Sequence, residues 1–300
     1  VCRERLQGVS LPKADSWGAS SLLLAAGIAG GLSAMVHLQQ LDDPADDDQG
    51  AYLSVAEEIR DRGGPGRLVS DLFRGSFEEA NRHPLYLALL SLHPVEPWGR
   101  LLALAAAVLA LFAGTRWLSH RSGPWSAGLF AILAATNAAW LFYGARVFCE
   151  SLLMLLSLLA WIVAAGFEGE AVPRLAEDES SPAIAAGHVA ARGGILRGLL
   201  LGGLLGLTWL TKATGLLLLG GTVLALLFRR GGGGWRGFRP GLAVAIAIGF
   251  LIAGSPLITR NVIRFESPFY NVNSQLLFVD EYIDPTALAE ERTTSEAARQ

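Results

Sequence analysis

The sequence predicts an all-α, polytopic transmembrane protein. Apolar residues make up 52% of the 300 positions and charged residues only 17%. Mean hydropathy is +0.40. The charges are also segregated, with long stretches carrying none and short segments carrying nearly all of them. A spanning helix needs about 20 mostly apolar residues, and seven segments read as spans, at roughly 18–38, 100–119, 124–143, 148–166, 195–211, 213–228 and 240–258. A net charge of −3 says little about partners in such a chain.

The chain opens "VCRERLQGVSLPK", which is basic but is followed by a full-length apolar segment. There is no short apolar region with a small-residue cleavage site, so no removed signal peptide is expected. Without an initial Met, and with the polar end "ERTTSEAARQ", the sequence reads as a piece of something longer. After the first span comes "LDDPADDDQGAY" (41–52), with five aspartates in seven positions. The stretch "HPLYLALLSLHP" (83–94) is apolar but too short to cross alone. It could be an interfacial or re-entrant helix, or half of an irregular hairpin with 100–119.

Cytoplasmic loops carry the excess of Lys and Arg. With Arg3, Arg5 and Lys13 inside, the Asp-rich loop 39–82 falls outside. If 83–94 does not cross, "RWLSHRSG" (116–123) and "RRGGGGWRGFRP" (229–240) both fall inside, as the rule requires. The segment 195–228 as one helix would run to about 50 Å, beyond a core of about 30 Å, so it reads as a hairpin turning near "TKATG" (211–215). The loop 167–194, polar and mixed in charge, reads as a flexible cytoplasmic linker with His188 on its surface. The Gly run "RGGGGWRG" lacks the Lys-Ser/Thr of a phosphate loop, no His/Cys spacing suits zinc, and no nucleic-acid partner is expected. Cys2 and Cys149 are expected at opposite faces, with neither a disulfide nor a thiol metal site.

This topology puts several polar motifs on one side, the outside: the Asp cluster, "NRHPLY" (81–86), "YGARVFCE" (143–150), "TKATG" and "ITRNVIRFESPFY" (258–270). Ionisable groups at a membrane are costly and are functional candidates by default. One outer cavity could hold Asp48, Arg146, Glu150, Lys212 and Arg260. Each also has a plainer reading. The acidic run could be a solvated loop. Arg146 and Lys212 could snorkel at span ends, Glu150 could pair with Arg146 by i to i+4 spacing, and Arg260 and Arg264 could flank the last span. Trp140 and Tyr143 read as interface-belt residues.

The order of these motifs resembles that of the polyprenyl-phosphate-dependent sugar transferases of the GT-C superfamily. The nearest group is the protein-mannosyltransferase-like and aminoarabinose-transferase-like family, with the core-oligosaccharide galacturonosyltransferases. Asp48 stands four residues before Tyr52, with Ala56 and Gly63-Gly64 following, like that family's first outer loop. "HPLYLALLSL", "ARVFCESLLMLLSLLA", "GLLGLTWLTKATGLLLL" and "SPLITRNVIRFESPFY" resemble its later segments in order, over about residues 18–270. Gln49 replaces the family's second acid, His83 the first Pro of a Pro-Pro pair, and Leu257 a Trp.

The resemblance implies a GT-C-like membrane module over 1–270 and a polar outer segment over 271–300. It implies sugar transfer from a polyprenyl-phosphate donor to a lipid, glycan or protein acceptor on the outer face of a bacterial inner membrane. Asp48 would be the catalytic base. Arg146, Lys212 and Arg260 would meet the phosphate charge. Tyr52, His83 and Glu150 would complete the substrate contacts. No cofactor is assigned. A divalent cation at Asp46 and Asp47 is left open, with Asp42 and Asp43 as spectators. The alternative is a transporter or flippase of an anionic lipid or solute, although such proteins place their charges near the midplane.

Overall fold

The computed structural model describes residues 16–40, 47–167, 183–227, 230–231, 234–235 and 240–271, with side chains described over 25–38, 48–167, 194–226 and 241–271. The described chain is helical apart from one antiparallel pairing of Arg230–Gly231 with Gly234–Trp235. The helices in chain order are α1 (Ser16–Gln40), α2 (Asp47–Asp61), α3 (Gly64–Arg74), α4 (Pro84–Leu90), α5 (Glu96–Ser122), α6 (Pro124–Thr136), α7 (Ala138–Ala145), α8 (Glu150–Gly166), α9 (Ala183–Thr211), α10 (Gly215–Leu227) and α11 (Pro240–Phe265).

Among the described residues, Glu96–Ser122, Gly194–Thr211 and Gly241–Phe265 are long and apolar enough to cross a membrane. The α6–α7 pair makes a fourth if it is one broken span. The apolar stretches Ala25–Leu38, Glu150–Gly166 and Gly215–Leu226 are shorter. The expected span 124–143 is therefore not one rod; it bends by 66° between α6 and α7. Asn137 is the cause. Its side-chain oxygen accepts the Trp140 N–H at 2.9 Å and starts a new helix, which is the usual preference of Asn for a helix start. The short α4 covers seven residues, about 10 Å of rise, and cannot cross alone.

One other element differs from expectation. The stretch 183–194, read as linker, belongs to α9; its run "AIAAGHVAA" is rich in the strongest helix former. Residues 168–182 lie outside the described residues, as do 1–15 and 272–300. The break at 211–215 is where the sequence placed it. Gly215 opens α10 so close to α9 that a Cβ there would overlap the Trp209 main-chain nitrogen.

The tightest contact is between α9 and α11. A Cβ on Gly202 would overlap the Ile246 carbonyl oxygen, and one on Gly249 would overlap the Leu199 carbonyl oxygen. Small residues let the two backbones touch, the usual way for helices to pack where lipid is as apolar as leucine. Trp209 then stacks on Phe250 at 5.6 Å. Around them Leu201, Leu205, Ile246 and Leu257 form one buried cluster with Ile59, Leu68, Leu72 and Leu87, which seats α2, α3 and α4 on the ends of α9 and α11.

The α2–α3 break uses Gly63 and Gly64, both at positive φ (118° and 74°), a conformation that costs glycine little. On α3, Val69 and Phe73 stay exposed (45% and 46%) while Leu68 and Leu72 are buried. They continue the exposed apolar surface of Val262 and Ile263 on α11, because Gly75 packs against Ile263. Such a face suits the membrane boundary. A nitroxide on Phe73→Cys is expected to meet oxygen more readily than a water-soluble nickel chelate, with the reverse order on Glu57→Cys. Equal accessibility at the two positions would put α3 in water.

Candidate functional site

The site is built from the N-terminal turn of α2, the α3–α4 connection, the α7–α8 turn, the α9–α10 turn and the C-terminal end of α11. Asp48 lies in the first turn of α2, where a carboxylate opposes the positive pole of the helix. Its side chain is largely exposed, and its partner is Arg82, with Nη2 at 3.6 Å. Arg82 is held on its other side by Glu79. The Glu79 Oε2 lies 3.5 Å from Arg82 Nη1, while Oε1 accepts the main-chain N–H groups of Asn81 (2.7 Å) and Arg82 (3.0 Å). One carboxylate thus fixes both the loop and the guanidinium. That guanidinium lies over the Tyr52 ring, 5.4 Å from its centre.

Tyr52 is one turn after Asp48 and shares its face. Its hydroxyl donates to Cys149 Sγ at 3.3 Å, and its ring meets Tyr86 edge-on at 5.4 Å. Burial pushes the Tyr52 phenol far above its usual range, and the nearby Cys149 adds to this. It therefore serves as a neutral donor. Cys149, a free and buried thiol, in turn donates to Glu150 Oε2 at 3.7 Å. Glu150 Oε1 accepts from Lys212 Nζ at 2.5 Å. Burial alone would lower the Lys212 pKa, but the hydrogen bond and charge of Glu150 outweigh it and the net shift is upward. Lys212 stays cationic. A continuous polar chain therefore runs from Asp48 through Arg82, Tyr52, Cys149 and Glu150 to Lys212.

Gln49 anchors this chain from below. It is completely buried, and its Oε1 accepts the Val147 N–H at 2.9 Å, across 98 residues of sequence. The amide joins α2 to the turn that carries Arg146, Cys149 and Glu150. Its position inside the protein makes it a tie between two segments rather than a metal ligand. Among the described residues no three His, Cys, Asp or Glu side chains gather to hold a metal. Asp42, Asp43 and Asp46 lie outside the described residues, as does the side chain of Asp47.

Arg146 closes α7 and lies over the Phe142 ring, 4.9 Å from its centre. It and Glu150 sit on different helices, so the i to i+4 pairing that their spacing suggests has no helix to act through. Glu150 accepts from Lys212 and from Cys149. His83 caps α4, and its ring lies edge-on to Trp209 at 6.4 Å. Burial is the main cause pulling its pKa down to about 4; a hydrogen bond to the Trp209 main chain opposes this, and the charges of Arg260 and Lys212 add to the lowering. Arg260 is 3% exposed and packs over Phe265 at 5.1 Å, which itself stacks on Tyr270. The Arg260 Nε and Nη1 and the His83 Nδ1 are buried without a hydrogen-bond partner among the described residues. Arg264 instead pairs loosely with Glu78 (3.9 Å).

Sequence reasoning missed Arg82 and Glu79, and read Gln49 only as the replacement of an acid and Cys149 only as an isolated thiol. Arg82 stands inside "NRHPLY", and its neighbour Asp48 is 34 positions away in the sequence, so no spacing rule could join them. Among the described residues, two cavities stand out. One of about 150 Å³ is lined by Glu58, Arg62, Arg67, Asp71, Glu78 and Glu79; there Arg62 pairs with Glu58 and Arg67 with Asp71. The other, about 400 Å³ and mostly apolar, lies between α8 and α10 and is lined by Trp161, Ala164, Leu217, Leu218, Thr222 and neighbours. Comparison with family models, with curated proteins and with solved structures finds no match for this chain.

Proposed function

We propose that the protein is a membrane glycosyltransferase that moves a sugar from a polyprenyl-phosphate donor to a lipid, glycan or protein acceptor on the outer face of the membrane. The observation that carries this reading is the polar chain from Asp48 to Lys212. It joins a carboxylate open to an incoming acceptor with cations able to meet a phosphate, at the ends of apolar helices. The seven apolar segments would form the membrane domain, and the site faces outward if the basic loops face the cytoplasm.

The chemistry follows from the residues. Asp48 accepts the proton of an acceptor hydroxyl or amine as that group attacks the anomeric carbon. The bond from that carbon to the phosphate oxygen breaks, and its electron pair leaves with the lipid phosphate. Fixed cations stabilise the charge that develops there. Lys212 and Arg260 suit this role, with Arg146 as the outer candidate. Arg82 holds Asp48 and Tyr52 together. The apolar cavity between α8 and α10 supports the lipid side of the reading: Leu217 and Leu218 lie one to two turns below Lys212, so a prenyl chain could descend from a phosphate held at the turn.

The test is transfer of radiolabelled sugar from a polyprenyl-phosphate donor by the protein in lipid vesicles. Lys212→Gln and Glu150→Gln are each expected to raise the donor KM about tenfold or more, since hydrogen bonds to charged groups contribute about 1.5–3 kcal/mol. The double variant should be no worse than the poorer single one, because both remove the same interaction. Counterflow of an anionic solute without any glycosylated product would instead identify a transporter.

A further inference from the structure

The junction of α4, the α9–α10 turn and α11 holds an uncompensated set of nitrogens. Arg260 is almost fully buried, and although it packs over Phe265 and feels the charge of Glu79, its Nε and Nη1 have no hydrogen-bond partner among the described residues, and neither does the His83 Nδ1. Buried polar atoms are almost always hydrogen-bonded, and each exception calls for an explanation. Three such atoms on two neighbouring side chains are what a site looks like when its partner is a ligand. The chemistry of that ligand is set by the charges around it.

Those charges are distinctive. The α9–α10 turn supplies Lys212, already bound to Glu150 of α8. Helix α11 supplies Arg260. The segment of His83 itself supplies Arg82, which is bound to Glu79, and Tyr86. Helix α2 supplies Tyr52, a neutral phenol, while α3 faces α4 with Leu68 and Leu72. Burial acts most on the imidazole and favours the neutral ring; a hydrogen bond to the Trp209 main chain opposes this, and the positive charges of Arg260 and Lys212 add to it. Without an anion the ring is therefore neutral at physiological pH.

We propose that His83 and Arg260 form the inner wall of a subsite for a phosphodiester anion, and that His83 takes up a proton when the anion binds. This rests on the glycosyltransferase reading, whose donor is itself a phosphodiester. The physical basis is that a negative charge within about 4–6 Å favours the charged form of a base, and the arriving oxygens accept hydrogen bonds from both residues. The sign of the linkage follows. The free ring titrates at about 4 and the bound ring at a higher pH. Between those two values binding consumes a proton, so affinity rises as pH falls, by at most about tenfold per pH unit. Below about pH 4 the dependence flattens.

The probe is farnesyl methyl phosphate, a diester with one fixed charge over this pH range, titrated calorimetrically into the detergent-solubilised protein at pH 6. Runs in two buffers of different ionisation enthalpy count the protons exchanged. The expected result is net proton uptake for the unaltered protein, and binding without uptake for His83→Asn and His83→Gln. Binding by the unaltered protein with no proton exchange overturns the proposal, and so does uptake that persists in both variants. Failure of the unaltered protein to bind the diester at all overturns the phosphodiester-donor reading, and this proposal with it. The two failures are therefore distinguishable.

Discussion

Asp48→Asn is expected to lower sugar transfer by about a hundredfold to ten-thousandfold, the range that a positioned general base supplies. The substitution is close to isosteric and lies at a largely exposed position in the first turn of α2, so folding should survive it. Asparagine cannot accept the acceptor's proton as a carboxylate does. It also weakens the contact to Arg82, which lies 3.6 Å away, but Arg82 keeps Glu79 and the Tyr52 ring. Donor binding should therefore change little while turnover collapses. Measuring kcat and donor KM for the variant in lipid vesicles separates the two effects. Transfer within twofold of the unaltered rate would remove Asp48 as the base and leave Glu150 as the next carboxylate on the polar chain. A loss confined to KM would make Asp48 a binding residue.

Gly202→Ala is expected to be among the most damaging single-methyl substitutions at the described residues. The added carbon would overlap the Ile246 carbonyl oxygen and sit 2.8 Å from the Phe250 nitrogen. Both are main-chain atoms of α11, so no side-chain rotation relieves the clash and the two helices must separate. Overpacking of this kind costs about 1–3 kcal/mol and occasionally more, and here separation also loosens the stack of Trp209 on Phe250 and the seat of α2 to α4. Gly203→Ala is the matched control. It adds the same methyl one position away where nothing lies within 4 Å, and alanine's better helix propensity makes it neutral or slightly stabilising. Thermal unfolding in detergent should give a clearly lower Tm for the first variant only. Equal Tm values for the two would mean that α9 and α11 do not touch as described.

The two predictions draw on different kinds of information. Asp48 stands out along the chain because its four-residue spacing to Tyr52 puts both on one helix face. Gly202 does not. The run "LLLGGLLGL" announces close helix packing somewhere, but Gly202 and Gly203 are equivalent as letters, and only the facing helix separates them. The same holds within the site. Lys212, Glu150, Arg260 and His83 are conspicuous because ionisable groups are rare beside apolar segments. Arg82 and Glu79 lie in a stretch already rich in charge, where one more arginine carries no signal. Gln49 and Cys149 are uncharged, so a search for charge passes over them.

The sequence by itself determined the helical class, the apolar segments and the break at 211–215, because these follow from local hydropathy and helix length. It also determined which ionisable residues stand at segment ends. Tertiary structure alone decided the partners: that Glu150 binds Lys212, that Arg82 joins Asp48 to Glu79, that Gln49 ties α2 to the α7–α8 turn, and that Arg260 and His83 keep buried nitrogens unsatisfied. The bend of 124–143 at Asn137 and the extension of α9 back to Ala183 are local in cause, a side-chain cap and an Ala-rich run. The physical reason is the range of each interaction. Hydropathy and propensity act over one or two turns of chain and can be read along it. A hydrogen bond acts over about 3 Å between residues up to 98 positions apart, and so exists only once the helices have packed.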